Sequence, residues 1–226
     1  MDKIKVGNKK IFEILFLLSI IVFIIFHAYY RNDNPIAVIS AICGITYTFI
    51  AGKGNPICYL FGVTGSAFYC ILSFQNNLWG NLLLYAVYYL PMQIVGFFKW
   101  NKNLKDGENT IIKIKLPKKE LCLLISLLTI ISFFVYITLV FSHDANPILD
   151  SITTVFSIGG MYLTVRRAIE QWLFWLGVNI LTLAMWISIA MSGVRVYSTI
   201  IMWAVYLVLA VYFYFDWKKE LNTRTI

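Results

Sequence analysis

Residues 56–98 read PICYLFGVTGSAFYCILSFQNNLWGNLLLYAVYYLPMQIVGFF, a stretch without a single Asp, Glu, Lys or Arg. Its one polar interruption is Gln75-Asn76-Asn77. A bilayer core of ~30 Å takes about 20 apolar residues per helix, so the stretch holds two membrane spans joined by a tight turn. Working outward, comparable runs occupy residues 11–30, 35–52, 56–75, 79–99, 120–142, 147–165, 170–191 and 196–217. The chain is therefore predicted to be an all-α polytopic membrane protein of eight transmembrane helices.

Composition agrees. Of the 226 residues 60% are hydrophobic and only 13% charged, against about a quarter charged in soluble domains. The formal charge of +8 would suggest nucleic acid in a soluble protein. Here the basic residues sit in short segments between apolar runs, so nucleic acid is set aside and the charge is read as orientation. With eight spans, 17 of the 19 Lys and Arg fall on one side: the N-terminal tail, Lys53, residues 99–119, Arg166-Arg167 and the C-terminal tail. Only Arg31 and Arg195 fall on the other. Both termini are accordingly expected in the cytoplasm, with the lipid bilayer as one partner. The first run is longer than a usual leader core and no small-x-small site follows His27, so it reads as a retained helix. Cys43, Cys58, Cys70 and Cys122 form no Cys-x-x-Cys pair and read as buried small hydrophobes. His27 and His143 read as interfacial residues without ligand spacing, and no metal is expected.

Two copies of one unit are visible. Asn34-Pro35-Ile36 opens the second run and Asn146-Pro147-Ile148 the sixth, 112 residues later. Tyr89 to Trp100 and Tyr206 to Trp217 repeat a Tyr eleven residues before a Trp, at an offset of 117. The predicted plan is 1+3+1+3. Residues 1–30 hold a tail and an additional helix, 31–100 a first three-helix bundle, and 101–142 a loop and connector helix. A second bundle occupies 143–219 and a short tail 220–226. One connector restores the chain direction, so the bundles are parallel repeats with a site between them.

Lipid-facing surface need only be apolar, so polar stripes point to protein or a cavity. The third helix carries Asn55, Tyr59, Gly62, Ser66, Tyr69 and Ser73 on one face; the seventh carries Trp172, Trp175, Asn179, Thr182 and Trp186. The fourth adds Tyr85, Tyr89 and Gln93 at strict spacings of four, and the eighth Thr199, Trp203 and Tyr206. Tyr69, Tyr89, Gln93, Trp172, Trp175, Asn179, Trp203 and Tyr206 are the candidate binding residues. Trp79, Trp100 and Trp217 stand at span ends and read as an interfacial aromatic belt. Glu13, Glu120, Asp150, Glu170 and Asp216 all lie near span ends. No proton relay, paired acids or nucleophile with its base is therefore visible at mid-span, and the chain is expected to be neither an ion-coupled pump nor an enzyme.

Trp79 to Trp100, WGNLLLYAVYYLPMQIVGFFKW, together with Glu170-Gln171-Trp172-Leu173-Phe174-Trp175 and Asn179, resembles the PnuC family of bacterial nicotinamide riboside transporters over about Asn34 to Lys219. The resemblance implies two three-helix bundles joined by one helix, similar to the SWEET proteins but with helices connected differently within each bundle. It also implies facilitated diffusion of nicotinamide riboside across the bacterial inner membrane, without a cofactor. A cytoplasmic riboside kinase would trap the product for NAD synthesis. A homo-oligomer is expected, with a trimer as one form. Trp172, Trp175 and Asn179 match the family's Trp-x-x-Trp and downstream Asn, and Tyr89 and Gln93 its YYLPMQ segment. Gly62-Val63-Thr64-Gly65 departs from members with Asn on the third helix. Relatives of the family carry thiamine or riboflavin, so another vitamin on the same fold is the alternative.

Overall fold

The computed structural model describes residues 2–75, 79–141, 147–191 and 197–223. It is helical, and among the described residues β-structure is confined to two isolated bridges. The helices are α1 (Asp2–Arg31), α2 (Pro35–Gly52), α3 (Cys58–Gln75), α4, α5 (Lys118–Phe141), α6 (Pro147–Val165), α7 (Gln171–Met191) and α8 (Tyr197–Thr223). Here α4 denotes a rod of three pieces: an α-helical Trp79–Leu83, a π-helical Leu84–Tyr89 and an α-helical Leu90–Asn101. Among the described residues seven helices are long and apolar enough to cross a membrane as unbroken α-helices; α4, interrupted by its π segment, is the remaining predicted span.

Local chemistry sets these boundaries. Asn34 caps α2 by accepting the Ile36 N–H at 2.9 Å, with Pro35 in the first turn, where a missing N–H costs nothing. The equivalent Asn146 and the Asn76-Asn77 turn lie outside the described residues, as do His143 and Arg195. In α4, Pro91 cannot donate to the preceding turn, and the chain widens to a π turn just before it. Leu90 N–H bonds the Tyr85 carbonyl five residues back. A strict four-residue spacing drifts around an ordinary α-helix. The wider turn offsets that drift and keeps Tyr85, Tyr89 and Gln93 on one face.

The helices close into a ring. α2 packs on α3, α3 on α4, α4 on α6, α6 on α7, α7 on α8, and α8 returns to α2. α1 lies outside against α2 and α8, and α5 rests against α6. Both outer helices leave large apolar residues such as Phe12, Phe26, Leu123 and Phe134 exposed, as a lipid-facing surface requires.

At the basic end, residues 102–117 form a strap across the ring. Ile111 N–H bonds the Gly54 carbonyl at 2.8 Å, between α2 and α3. Three residues on, Ile114 bonds Arg167 and Ile169 between α6 and α7 at 3.0 and 2.9 Å. Leu116 N–H is held by the Glu170 carboxylate. Lys113, only 5% exposed, meets Glu220 of α8 at 2.6 Å. Burial draws its ammonium below the usual lysine range, and the Glu220 bond opposes that shift. Lys105 also reaches Glu220, at 2.9 Å. Glu220→Ala strands the Lys113 charge and is expected to cost about 2–3 kcal/mol. That is below the full value of a buried pair because Glu220 keeps contact with water. The measurement is thermal unfolding in detergent; an unchanged midpoint would contradict the strap's role.

Two readings of the sequence need correction. Trp100 and Trp217 are not an interfacial belt: both are fully buried. Trp100 Nε1 donates to the Thr164 carbonyl at 2.9 Å and Trp217 Nε1 to the Gly52 carbonyl at 2.6 Å. The strap covers this end, so residues that terminate spans in the sequence lie inside the protein. The Trp79 side chain lies outside the description. Of the cysteines only Cys58 is buried; Cys43 and Cys70 are half-buried, and Cys122 is exposed on α5, which packs against α6 and leaves its other faces uncovered. His27 stacks on Phe23 at 5.9 Å and meets Tyr197 edge-on at 5.7 Å.

Candidate functional site

Among the described residues the ring encloses a cavity, about 830 Å³ of empty space including its solvent-open part. Tyr69, Tyr89, Gln93, Trp172, Trp175, Asn179, Trp203 and Tyr206 all line it. α3 supplies Tyr69, α4 Tyr89 and Gln93, α7 the two tryptophans and Asn179, and α8 Trp203 and Tyr206. The stripe on α7 divides by depth: Thr182 and Trp186 are buried but lie beyond the cavity lining.

Its walls are aromatic. Tyr69 and Tyr85 rings lie 4.3 Å apart, Tyr85 and Tyr89 4.6 Å, and Tyr89 and Trp175 6.3 Å, a nearly continuous chain of rings in which the last two pairs meet edge-on. Trp203 stands edge-on to Tyr206 at 5.4 Å. Trp175 is fixed by an Nε1 bond to Thr164 Oγ1 at 3.0 Å. Tyr206 depends on Gly44: a Cβ there would lie 1.9 Å from its hydroxyl. The missing side chain is what lets α8 place the phenol in the cavity.

The polar groups are few. Gln93 Nε2 donates to Ser66 Oγ at 2.9 Å, while Gln93 Oε1 is buried without a protein partner. Tyr47 Oη, Trp172 Nε1 and Trp203 Nε1 are likewise buried and unpaired, and all four residues line the cavity. Leaving such atoms unmatched costs ~1–3 kcal/mol each, so their convergence marks a place built for a polar guest. Asn179 is 3% exposed and lines the same space. Among the described residues none that lines it is Asp, Glu, Lys, Arg or His.

The sequence reading missed α2 and α6. Ser40, Gly44, Tyr47, Thr48 and Ala51 face the cavity from α2, and Met161 and Thr164 from α6. On α2 the spacing is that of one helical face, the signal used for α3 and α7. Small residues interleaved with Tyr47 made it look like packing surface. Gln171 also lines the cavity, with Nε2 bonded to the Ala168 carbonyl at 3.0 Å.

A multi-pass helical protein closed around an uncharged, aromatic cavity with unpaired polar atoms is the architecture of a small-molecule transporter. Residues 34–219 match the sequence profile of the family described as nicotinamide mononucleotide transporter, and the chain belongs to that family. It is 33% identical over 195 residues to the nicotinamide riboside transporter PnuC of Neisseria mucosa, covering 84% of this chain and 74% of that one. The Haemophilus influenzae protein of the same name is 29% identical over 216 residues, covering 95% and 92%. A crystal structure of the vitamin B3 transporter PnuC superposes with a TM-score of 0.83 at 29% identity, over 94% of this chain and 92% of that one.

Proposed function

We propose that this protein carries nicotinamide riboside across the bacterial inner membrane by facilitated diffusion, with both termini in the cytoplasm. A cytoplasmic kinase then traps the product for NAD synthesis. The observation that carries the reading is the uncharged cavity in which aromatic faces meet unpaired amide, phenol and indole groups. Nicotinamide riboside is a flat pyridinium cation bearing a carboxamide and ribose hydroxyls. Desolvated over Trp175 and the tyrosines, the cation gains ~2 kcal/mol, and Gln93 and Asn179 read its amide and hydroxyls. The neutral lining also favours the riboside over its 5′-phosphate, because a buried phosphate would have no countercharge.

The packing pattern supports two parallel three-helix units, α2–α4 and α6–α8, joined by α5 with α1 added outside, in the SWEET-like manner. In each unit the middle helix packs on both others, and the units meet through α2 with α8 and α4 with α6. Exchanging the units leaves that list of neighbours unchanged. Homo-oligomerisation, with a trimer as one form, belongs to the same proposal.

Among the described residues the lining holds no Asp, Glu, Lys, Arg or His at which a driving ion could be bound, so transport is expected to be uncoupled. Proteoliposomes should fill with labelled nicotinamide riboside only to equilibrium. Imposed sodium or pH gradients, with the electrical potential clamped at zero, should produce no accumulation. Concentration of the label under either gradient would refute facilitated diffusion, and chemically altered label would indicate an enzyme.

A further inference from the structure

The two buried tryptophans at the basic end occupy equivalent places in the two units. Gly52 precedes Thr164 by 112 residues, the same interval that separates Asn34 from Asn146, and Trp100 precedes Trp217 by 117, as Tyr89 precedes Tyr206. Trp100, ending α4 in the first unit, donates to Thr164 at the end of α6 in the second. Trp217, on α8 in the second unit, donates to Gly52 at the end of α2 in the first. The two bonds are thus one interaction made twice, in opposite directions across the boundary between units.

The supporting rings repeat as well. Trp100 stands edge-on to Tyr59 at 5.1 Å and 81°, and Trp217 edge-on to Trp172 at 5.6 Å and 84°. Trp172 forms part of the cavity lining, and Tyr59 packs on Tyr47, another lining residue, at 6.0 Å. The double contact therefore lies directly beneath the cavity. Ile111 of the strap packs into the same apolar cluster, and the Lys113 ammonium lies 4.9 Å over the Trp217 ring.

We propose that Trp100 and Trp217 form a paired latch that shuts the basic end of the passage, both indole bonds breaking together when the two units part. This rests on the reading of the cavity as a transport passage. A motion that separates α2 from α8 and α4 from α6 at this end must break both bonds. Neither can be kept by one unit alone, because donor and acceptor always belong to different units. Water excluded from the cluster makes each bond strong while shut, and entry of water on opening supplies replacement partners for indole and carbonyl alike. The latch is thus a two-state contact rather than a graded one.

Cys58 is fully buried in the same cluster and serves as a native reporter of opening that needs no ligand. The experiment follows its modification by N-ethylmaleimide in purified full-length protein, with each cysteine quantified by peptide mass spectrometry. Trp100→Phe and Trp217→Phe keep an aromatic ring but remove the N–H. Each is expected to speed modification of Cys58 about fivefold, and the double variant about 25-fold, because two bonds broken in one step contribute additively in free energy. Cys43 and Cys70 should react at their wild-type rates. Where phenylalanine yields too little protein, benzothienylalanine at the same position keeps the indole shape without the donor. An unchanged Cys58, a response from only one of the two positions, or an equal rise at Cys43 and Cys70 would overturn the latch. Failure of nicotinamide riboside uptake would leave these rates as informative as before, so the substrate and the latch are tested separately.

Discussion

Trp175→Ala is expected to weaken nicotinamide riboside binding about 30- to 100-fold. The tryptophan closes the aromatic chain that runs from Tyr69 through Tyr85 and Tyr89. Its loss removes a desolvated cation–π contact of ~2 kcal/mol together with stacking area. The folded protein also loses packing, because Trp175 touches three buried clusters, but no buried hydroxyl is stranded. Thr164 Oγ1, which accepts the Trp175 N–H, keeps its own bond to the Gly160 carbonyl at 2.8 Å. Trp175→Phe retains a ring with a weaker face and should fall between, about fivefold below wild type. Calorimetry on monodisperse protein reads the difference. Equal affinities for the Phe and Ala variants would show that the ring face contributes nothing.

Asn179→Ala is expected to lower affinity about 10- to 100-fold by a different route. A carboxamide or hydroxyl on the ligand would be left buried without its partner, at ~1–3 kcal/mol. A neutral comparator has to come from the lipid-facing surface. Trp217, at a span end in sequence, is unsuitable because it packs edge-on to Trp172 inside the protein. Phe215, 61% exposed on α8, serves instead, and Phe215→Ala should leave affinity unchanged. If Phe215→Ala were as damaging as Asn179→Ala, the loss would reflect general destabilisation and the site would have to be moved.

Much of this arrangement is legible in the chain because a membrane imposes strong constraints. The uncharged stretch from Pro56 to Phe98 admits helices only, and the stripes on α3, α4, α7 and α8 had to face something other than lipid. That reasoning finds eight residues that the fold brings to one cavity. It fails where polarity is weak: Ser40, Gly44 and Thr48 on α2 look like helix-packing residues, and Gly44 contributes by the side chain it lacks. It fails again at the ends of the spans. A tryptophan beside lysines reads as an interfacial anchor, and nothing local to Trp100 or Trp217 announces that residues 102–117 fold back over them. The strap is held by main-chain bonds to Gly54 and to Arg167 and Ile169, which depend on chain path rather than residue type. The π turn is intermediate, since the strict fours from Tyr85 to Gln93 before Pro91 hint at it only once its geometry is known.

The central claim is that an uncharged, aromatic, amide-bearing cavity selects nicotinamide riboside. Calorimetric titration of the purified wild-type protein with nicotinamide riboside, its 5′-phosphate and thiamine tests it most directly. The account predicts saturable binding of the riboside at one site per chain, binding of the phosphate weaker by about 100-fold or more for want of a countercharge, and no displacement of the riboside by equimolar thiamine. Binding of the phosphate as tight as that of the riboside, or displacement of the riboside by thiamine, would contradict it.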